Sequence, residues 1–397
     1  MSLKSQDDPR QPRYVEGLVA VTVDSLDPAE RHAVFQTARE TVREAGGNGA
    51  PAGAQRLTEI FGRDTGPVTR VTRFVDILEV DDPEAAAAAF DEDESARVTP
   101  IHALAFNWHQ PISATKPSPL AERVPFPDLP PGDRTRVIAV VDTGVVSAGH
   151  LPSWMTSSII LGQGDIEELH GDDVSHGTFV TSLLRQIAPT HVVSMARAAG
   201  YGDGEARDAS HPEPDPTTEF HVADAIHRLI DRHLGRSDVV EALNLSVGGP
   251  SRKDLGMATL ESALGRWREV FPNAPIFAGA GNSPEPQVIY PAAIGHVRGV
   301  AAANRDGDQI VWDSSDAEVA PNPAQRSWVD DVAPGSRLIG LAGRGAESAV
   351  EWSGSSFATA VATASHTQGG PYQIHDGIAY WPGRTMQYGD VPGLLFG

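Results

Sequence analysis

An α/β architecture, a mostly parallel sheet with helices on both faces, preceded by a small α+β domain, is the fold class the sequence predicts. From about residue 135 onward, short continuous apolar runs alternate with helical patterns, as expected of strands buried between covering helices. Over the first hundred or so residues, strand and helix signals alternate at closer spacing. Between them, residues 107–134 carry Pro111, Pro117, Pro119, Pro125, Pro127, Pro130 and Pro131, which neither a helix nor a sheet interior tolerates. The predicted organisation is a small domain over 1–106, an exposed proline-rich linker over 107–134 and a larger domain over 135–397.

The first domain opens with an apolar, β-branched run, Gly17 to Val23, read as a strand. Asp27-Pro28-Ala29-Glu30 follows, a cap, a proline at the first helical position and an acid in the first turn. That helix runs to about Ala45 and stops at Gly46-Gly47, where glycine takes the left-handed exit conformation. A Gly/Pro/Ala loop leads to about Gln55, a weakly marked inner strand is expected near 56–62, and strand pattern returns over Val68 to Val80. Asp82-Pro83-Glu84 opens a second helix through the alanines at 85–89, and Val98 to Phe106 closes the unit as a strand. Two helices threaded between strands in this order make a βαββαβ sandwich of the ferredoxin-like kind.

In the larger domain the expected strands are Val137 to Val141, His191 to Ala196, Val239 to Val247 and Ala274 to Ala280. The expected helices start at His176, span about Thr218 to His233, and span Lys253 to Phe271. Ligands of such a sheet bind beyond its strand ends. Residues 199–217, rich in Gly, Asp and Pro, read as an extended loop, and the chain after about Thr367 has no assignable pattern.

Composition narrows the function classes. With 31 basic against 53 acidic residues the formal net charge is -22, which repels phosphate backbones and anionic lipid, so neither nucleic acid nor a membrane surface is an expected partner. There is no cysteine, which removes thiolate catalysis, disulfide stapling and Cys-based zinc sites. The start, Met1 to Asp8, is polar and lacks the apolar core of a secretory signal; a cytoplasmic location is the expectation. The acidic run Asp91-Glu92-Asp93-Glu94 lacks the spacing of a calcium loop and reads as a solvated helix end, so no metal ligands are assigned.

Four short segments carry chemistry. Gly354-Ser355-Ser356-Phe357-Ala358 places a serine on a Gly/Ser turn at the start of an alanine-rich helical run, the setting of an aimed nucleophile. A hydroxyl attacks a carbonyl only as its proton is withdrawn, and His176, opening the helical run Gly177 to Leu184, is the preferred base over His170 in its loop-like surroundings. Such a base needs a carboxylate on its far nitrogen; Asp142, at the end of a buried strand, supplies one. Asn282, after the small residues Gly279-Ala280-Gly281, can donate an amide to a developing oxyanion beside the Ser356 N–H. Asp, His, Ser is one of three known triad orders along a chain.

These motifs make the chain from about 135 to 370 resemble the subtilisin-like serine peptidases, the subtilases. Gly354, Ser356 and Ala358 match that family's Gly-Thr-Ser-Met-Ala-x-Pro, which makes Ser356 rather than Ser355 the nucleophile; Ser355, Phe357 and Ala360 depart from it. The family's His-Gly-Thr-His-Val becomes His176-Gly177-Thr178-Phe179-Val180, and Tyr290-Pro291-Ala292 and Asp331 to Gly335 resemble structural landmarks in the same order. Asn244 to Gly249 resembles the family's substrate-binding edge strand, so Ser246, Val247 and Gly248, with Gly279 and Ala280, are implied to line a cleft where a peptide adds in β fashion.

The resemblance implies a serine endopeptidase with protein or peptide substrates and no required cofactor. Structural calcium is common in the family, although no segment names its ligands. It also implies that the first domain acts as a propeptide, contacting the peptidase domain as chaperone and inhibitor, with self-cleavage between about 107 and 134. Two rival functions use the same residues differently: a peptide ligase or macrocyclase on the same triad, and a catalytically silent peptide-binding module.

Overall fold

The computed structural model describes residues 14–23, 28–53, 55, 57, 71, 75–90, 96–104, 118–119, 129–162, 164–167, 174–198, 217–254, 256–282, 287–303, 327–343, 349–368, 373–375 and 378–380. The chain divides into two compact units: residues 1–104, 199–228 and 249–270 form the first, and 105–198, 229–248 and 271–397 the second. Most of the expected linker over 107–134, the acidic run at 91–94 and most of the 199–217 loop lie outside the described residues.

The first unit begins with β1 (Tyr14–Thr22), α1 (Pro28–Gly46), β2 (Ala50–Pro51), β3 (Asp76–Glu79), α2 (Pro83–Ala88) and β4 (Arg97–His102). The four strands form an antiparallel sheet in the order β2-β3-β1-β4. The end of α1 and the start of α2 follow the residues, while the Asp27 cap expected for α1 lies outside the described residues. Gly47 leaves α1 at φ +75°, and the Asp82 carboxylate caps α2 by accepting from the N–H groups of Glu84 at 3.0 Å and Ala85 at 3.2 Å. Ala38 and Val42 of α1 and Ala86 of α2 close a core with Val19, Val21, Leu78 and Val98 from the sheet. The short strand of this sheet is Ala50–Pro51, both exposed, so no apolar alternation marked them; residues 56 and 58–62, where an inner strand was expected, lie outside the described residues. The helix Ala258–Val270, in the same unit, packs against β1 and β4.

The second unit holds β5 (Ser118–Pro119), β6 (Asp133–Asp142), β7 (Val145–Val146), α3 (Ser153–Thr156), β8 (Ile159–Ile160), β9 (Ile166–Glu167), α4 (His176–Ile187) and β10 (His191–Arg197). The helix α5 (Glu219–His233) divides between the units, and α6 is the helix Ala258–Val270 already described. There follow β11 (Val239–Leu245), β12 (Ile276–Gly279), β13 (Val297–Ala303), β14 (Asp331–Pro334), β15 (Leu338–Leu341), β16 (Ala349–Trp352), α7 (Ser355–Thr367), β17 (Gln373–His375) and β18 (Ile378–Tyr380).

Seven strands make one sheet, β14-β13-β12-β11-β6-β10-β8, parallel at every pairing. Its central strands are continuously apolar because they are covered on both sides, as in the run Val137 to Val141, which is fully buried. The helix α7 packs along β11 to β14 and against α4. A small antiparallel sheet, β15-β16-β5, stands apart from the large one, so the proline-rich segment does contribute two residues of strand. The Arg185 guanidinium of α4, fully buried, donates to the carbonyls of Pro130 at 2.8 Å, Pro189 at 2.7 Å and His191 at 2.5 Å. Burial pushes its pKa down to about 10. No helix among the described residues is long and apolar enough to cross a membrane.

Candidate active site

Two neighbouring elements of the second unit deliver an acid and a base to the same point. The strand β6 ends at Asp142, and α4 begins at His176 after Ser175, whose hydroxyl caps the helix by accepting from Thr178 N–H at 3.0 Å. His176 Nδ1 lies 2.7 Å from Asp142 Oδ1, with both side chains fully buried. The same oxygen accepts from Thr143 N–H at 2.7 Å. Gly177 makes this approach feasible: a Cβ there would meet the Gly144 carbonyl oxygen at 2.1 Å and Asp142 Oδ1 at 3.1 Å. Only glycine lets the start of α4 settle so close to the end of β6.

Ser356 is the second residue of α7, after Gly354 at the cap position and Ser355. The N–H at this position has no intrahelical acceptor, and the helix N-terminus favours negative charge. The Ser356 hydroxyl donates to the Ser246 carbonyl oxygen at 3.3 Å, and Ser246 Oγ lies 2.9 Å from the Ser356 carbonyl oxygen. The imidazole of His176 sits against the next residue, with ring centroids 5.3 Å apart to Phe357 and 5.6 Å to Trp352. Asn282 Oδ1 accepts from Ser355 N–H at 2.7 Å. That bond fixes the amide at the mouth of α7.

The segments expected to bind peptide converge here, with one correction. The strand β11 is internal, hydrogen-bonded to β6 on one side and β12 on the other, so it is not the edge strand the sequence suggested. Its neighbours fill both ladders, and only Ser246, Val247 and Gly248 lie past its last paired residue, Leu245. Gly279 ends β12 beside the α7 turn, where a Cβ would meet Ser355 Oγ at 3.1 Å, and Ala280 N–H continues to the Val300 carbonyl at 2.9 Å.

Three residues near the site carried no signal in the sequence. Trp352, at the end of β16, forms the aromatic wall behind His176. Ile289 fills the space between two glycines: a Cβ on Gly248 would meet its Cγ2 at 2.7 Å, and one on Gly281 would meet its Cγ1 at 2.8 Å. Glu167 accepts from the hydroxyls of Ser175 and Thr143, and burial pushes its carboxyl up to about 7. Among the described residues, no cluster of three or more His, Asp or Glu side chains is arranged to hold a metal ion.

No family model and no curated protein matches the chain. Fervidolysin from Fervidobacterium pennivorans, a keratinolytic enzyme related to subtilisin, aligns over 92% of this chain at TM-score 0.53 and 16% identity. The fold is subtilisin-like. The alignment spans 55% of fervidolysin's own length. The prenylagaramide maturation protease PagA aligns at 18% identity over 59% of this chain and 75% of its own, TM-score 0.43. The self-cleaved protease domain of PatA aligns at 22% identity over 60% and 80%, TM-score 0.41. In the subtilisin-like fold, the Asp142–His176 pair and the start of α7 lie at the carboxyl ends of parallel strands, where open α/β sheets place their ligands.

Proposed function

We propose that the protein is a serine endopeptidase working through an acyl-enzyme. Ser356 Oγ attacks the substrate carbonyl carbon while its proton passes to His176 Nε2. Asp142 holds the opposite nitrogen and offsets the charge of the imidazolium. The oxyanion rests on the Ser356 N–H and the Asn282 amide. His176 then returns its proton to the leaving amine, and water resolves the ester by the same route in reverse. The bond of 2.7 Å between His176 Nδ1 and Asp142 Oδ1, in a subtilisin-like fold with Ser356 at a helix N-terminus, is the observation that carries this reading.

The first domain, in the same reading, is a ferredoxin-like inhibitor and folding aid. Its antiparallel sheet with two helices supports this, as does the path of its last residues within the first unit. Ala103 bridges Thr218 in antiparallel fashion, and Leu104 N–H donates to the Thr217 carbonyl at 2.9 Å. The buried Glu219 carboxylate receives the His102 N–H at 2.9 Å and lies 3.1 Å from His102 Nδ1.

A fluorophosphonate probe on the full-length protein, wild type beside Ser356→Ala, tests both parts. The wild type is expected to carry the adduct on Ser356 and to shorten, on storage, by a segment ending between 107 and 134, with the variant doing neither. Peptide hydrolysis that persists undiminished in Ser356→Ala would overturn the peptidase reading. Product analysis separates hydrolysis from ligation, since a ligase returns cyclised or joined peptide.

A further inference from the structure

The sequence offers no reason for a carboxylate at residue 167, yet the fold carries one to the back of the acid–base pair. Parallel pairing of β9 with β7, Val146 opposite Glu167, sets Glu167 beside the loop that follows Asp142. A single oxygen, Oε2, accepts from Ser175 Oγ at 2.5 Å and from Thr143 Oγ1 at 2.9 Å. Each hydroxyl has one hydrogen, and both are committed to Glu167. Their lone pairs are thereby turned toward α4, where Thr143 Oγ1 accepts from Gly177 N–H at 3.0 Å and Ser175 Oγ from Thr178 N–H at 3.0 Å. These are the donors at the start of a helix that the helix itself cannot satisfy.

We infer that Glu167 is a positioning residue: its carboxylate ties the residue after Asp142 to the residue before His176 and so holds the acid and base in register. Thr143 is bonded in the chain to the acid and Ser175 to the base, so the clamp spans the pair without touching substrate. Glu167 faces the carboxylate of Asp142 and the guanidinium of Arg197, which act on it in opposite directions. Burial outweighs both and opposes its ionisation. What the clamp needs of this side chain is an oxygen that accepts from two hydroxyls, which a glutamine amide oxygen also supplies. Misplacement of a reacting group by about 1 Å costs on the order of 10²-fold in rate.

The inference rests on the peptidase reading, and steady-state peptide hydrolysis by the full-length protein, with melting temperatures recorded alongside, tests it. Glu167→Ala is expected to lower kcat by about 10²-fold with KM within about twofold. Glu167→Gln, whose amide oxygen still accepts both hydroxyls, is expected to recover most of the loss. A folded Glu167→Ala with wild-type kcat, a change confined to KM, or a Glu167→Gln as impaired as the alanine variant overturns the clamp. If Glu167→Ala does not fold, Thr143→Val decides, since it removes one hydroxyl at nearly constant shape; an unchanged kcat there overturns it as well. An active wild type with active variants sinks this inference alone, whereas a wild type that neither takes the probe nor hydrolyses peptide sinks the peptidase reading and the clamp with it.

Discussion

Ser194, His233 and Asp238, in the second unit, form a Ser-His-Asp chain whose bonds are tighter than those at Ser356. Ser194 Oγ lies 2.8 Å from His233 Nε2, and His233 Nδ1 meets the Asp238 carboxylate. Yet Ser194 is mid-strand in β10, paired to Ala139 of β6 on one side and Ile160 of β8 on the other, and is fully buried. Its hydroxyl also takes a bond from Arg232 Nη1 at 3.1 Å, and Arg232 in turn meets Asp165 at 2.6 Å. The ladder occupies the backbone around Ser194, so no N–H waits for an oxyanion. Ser356 differs in those respects: it sits on a helix N-terminus with an amide at hand and the ends of parallel strands around it. A hydrogen-bonded chain alone is a way of satisfying buried polar groups; reactivity requires donors for the developing charge and room for a carbonyl.

The largest contrast is expected between the two serines. Ser356→Ala should lower kcat by about 10⁶-fold, the scale of triad loss in subtilisin, from which that magnitude is taken. Ser194→Ala should leave kcat within about twofold and cost about 1 kcal/mol of stability. Peptide mapping after fluorophosphonate treatment should place the adduct on Ser356 and none on Ser194; an adduct on Ser194 would dissolve the distinction. Next in size, Asn282→Ala should lower kcat by about 10²–10³-fold, again by analogy with subtilisin's oxyanion hole. Little change in kcat there would mean that the amide only anchors Ser355.

The candidate catalytic side chains were legible because each sits at a boundary that sequence marks: Asp142 closes an apolar run, His176 opens a helical one, Asn282 follows a short strand and Ser356 lies in the first turn of an alanine-rich helix. What supports them was not. Glu167 belongs to a two-residue strand, and its partners Thr143 and Ser175 reach it through β7–β9 pairing. Nothing periodic announces that. Ser194, His233 and Asp238 are likewise joined by tertiary packing across β10 and the end of α5. The later strand β13 went unread because alanine and glycine in the run Val297–Ala303 give weak strand preference, while the two-residue β2 and β5 are too short to show alternation.

Space against packing is sharpened further at Ile289. If the side chain preceding the cleaved bond is received at Gly248, which the resemblance implies lines the cleft, it meets Ile289, which stands against Gly248 and Gly281. Cleavage after small residues is the expected preference. Ile289→Gly should raise kcat/KM for a peptide with leucine at that position by about tenfold or more relative to alanine, the scale of pocket discrimination. An unchanged ratio would mean that the side chain is received elsewhere.

The smallest effect concerns the structural chain and pH. Burial holds the His233 pKa below its ordinary value, outweighing the pull of Asp238. The folded protein therefore keeps this imidazole neutral where the unfolded chain binds a proton, near pH 6.5. Its contribution to stability is fully present above that pH and is lost as pH falls below it, at up to about 1.4 kcal/mol per pH unit for one proton. His191, buried beside Glu241, is shifted in the same direction by the same cause. Urea midpoints measured at pH 7.5 and 5.5 should fall toward acid in the wild type and in Ser356→Ala alike, and fall less steeply in His233→Gln. Equal slopes in all three would show that His233 takes up its proton in the folded state without cost, leaving Ser194 and Asp238 as bystanders to it.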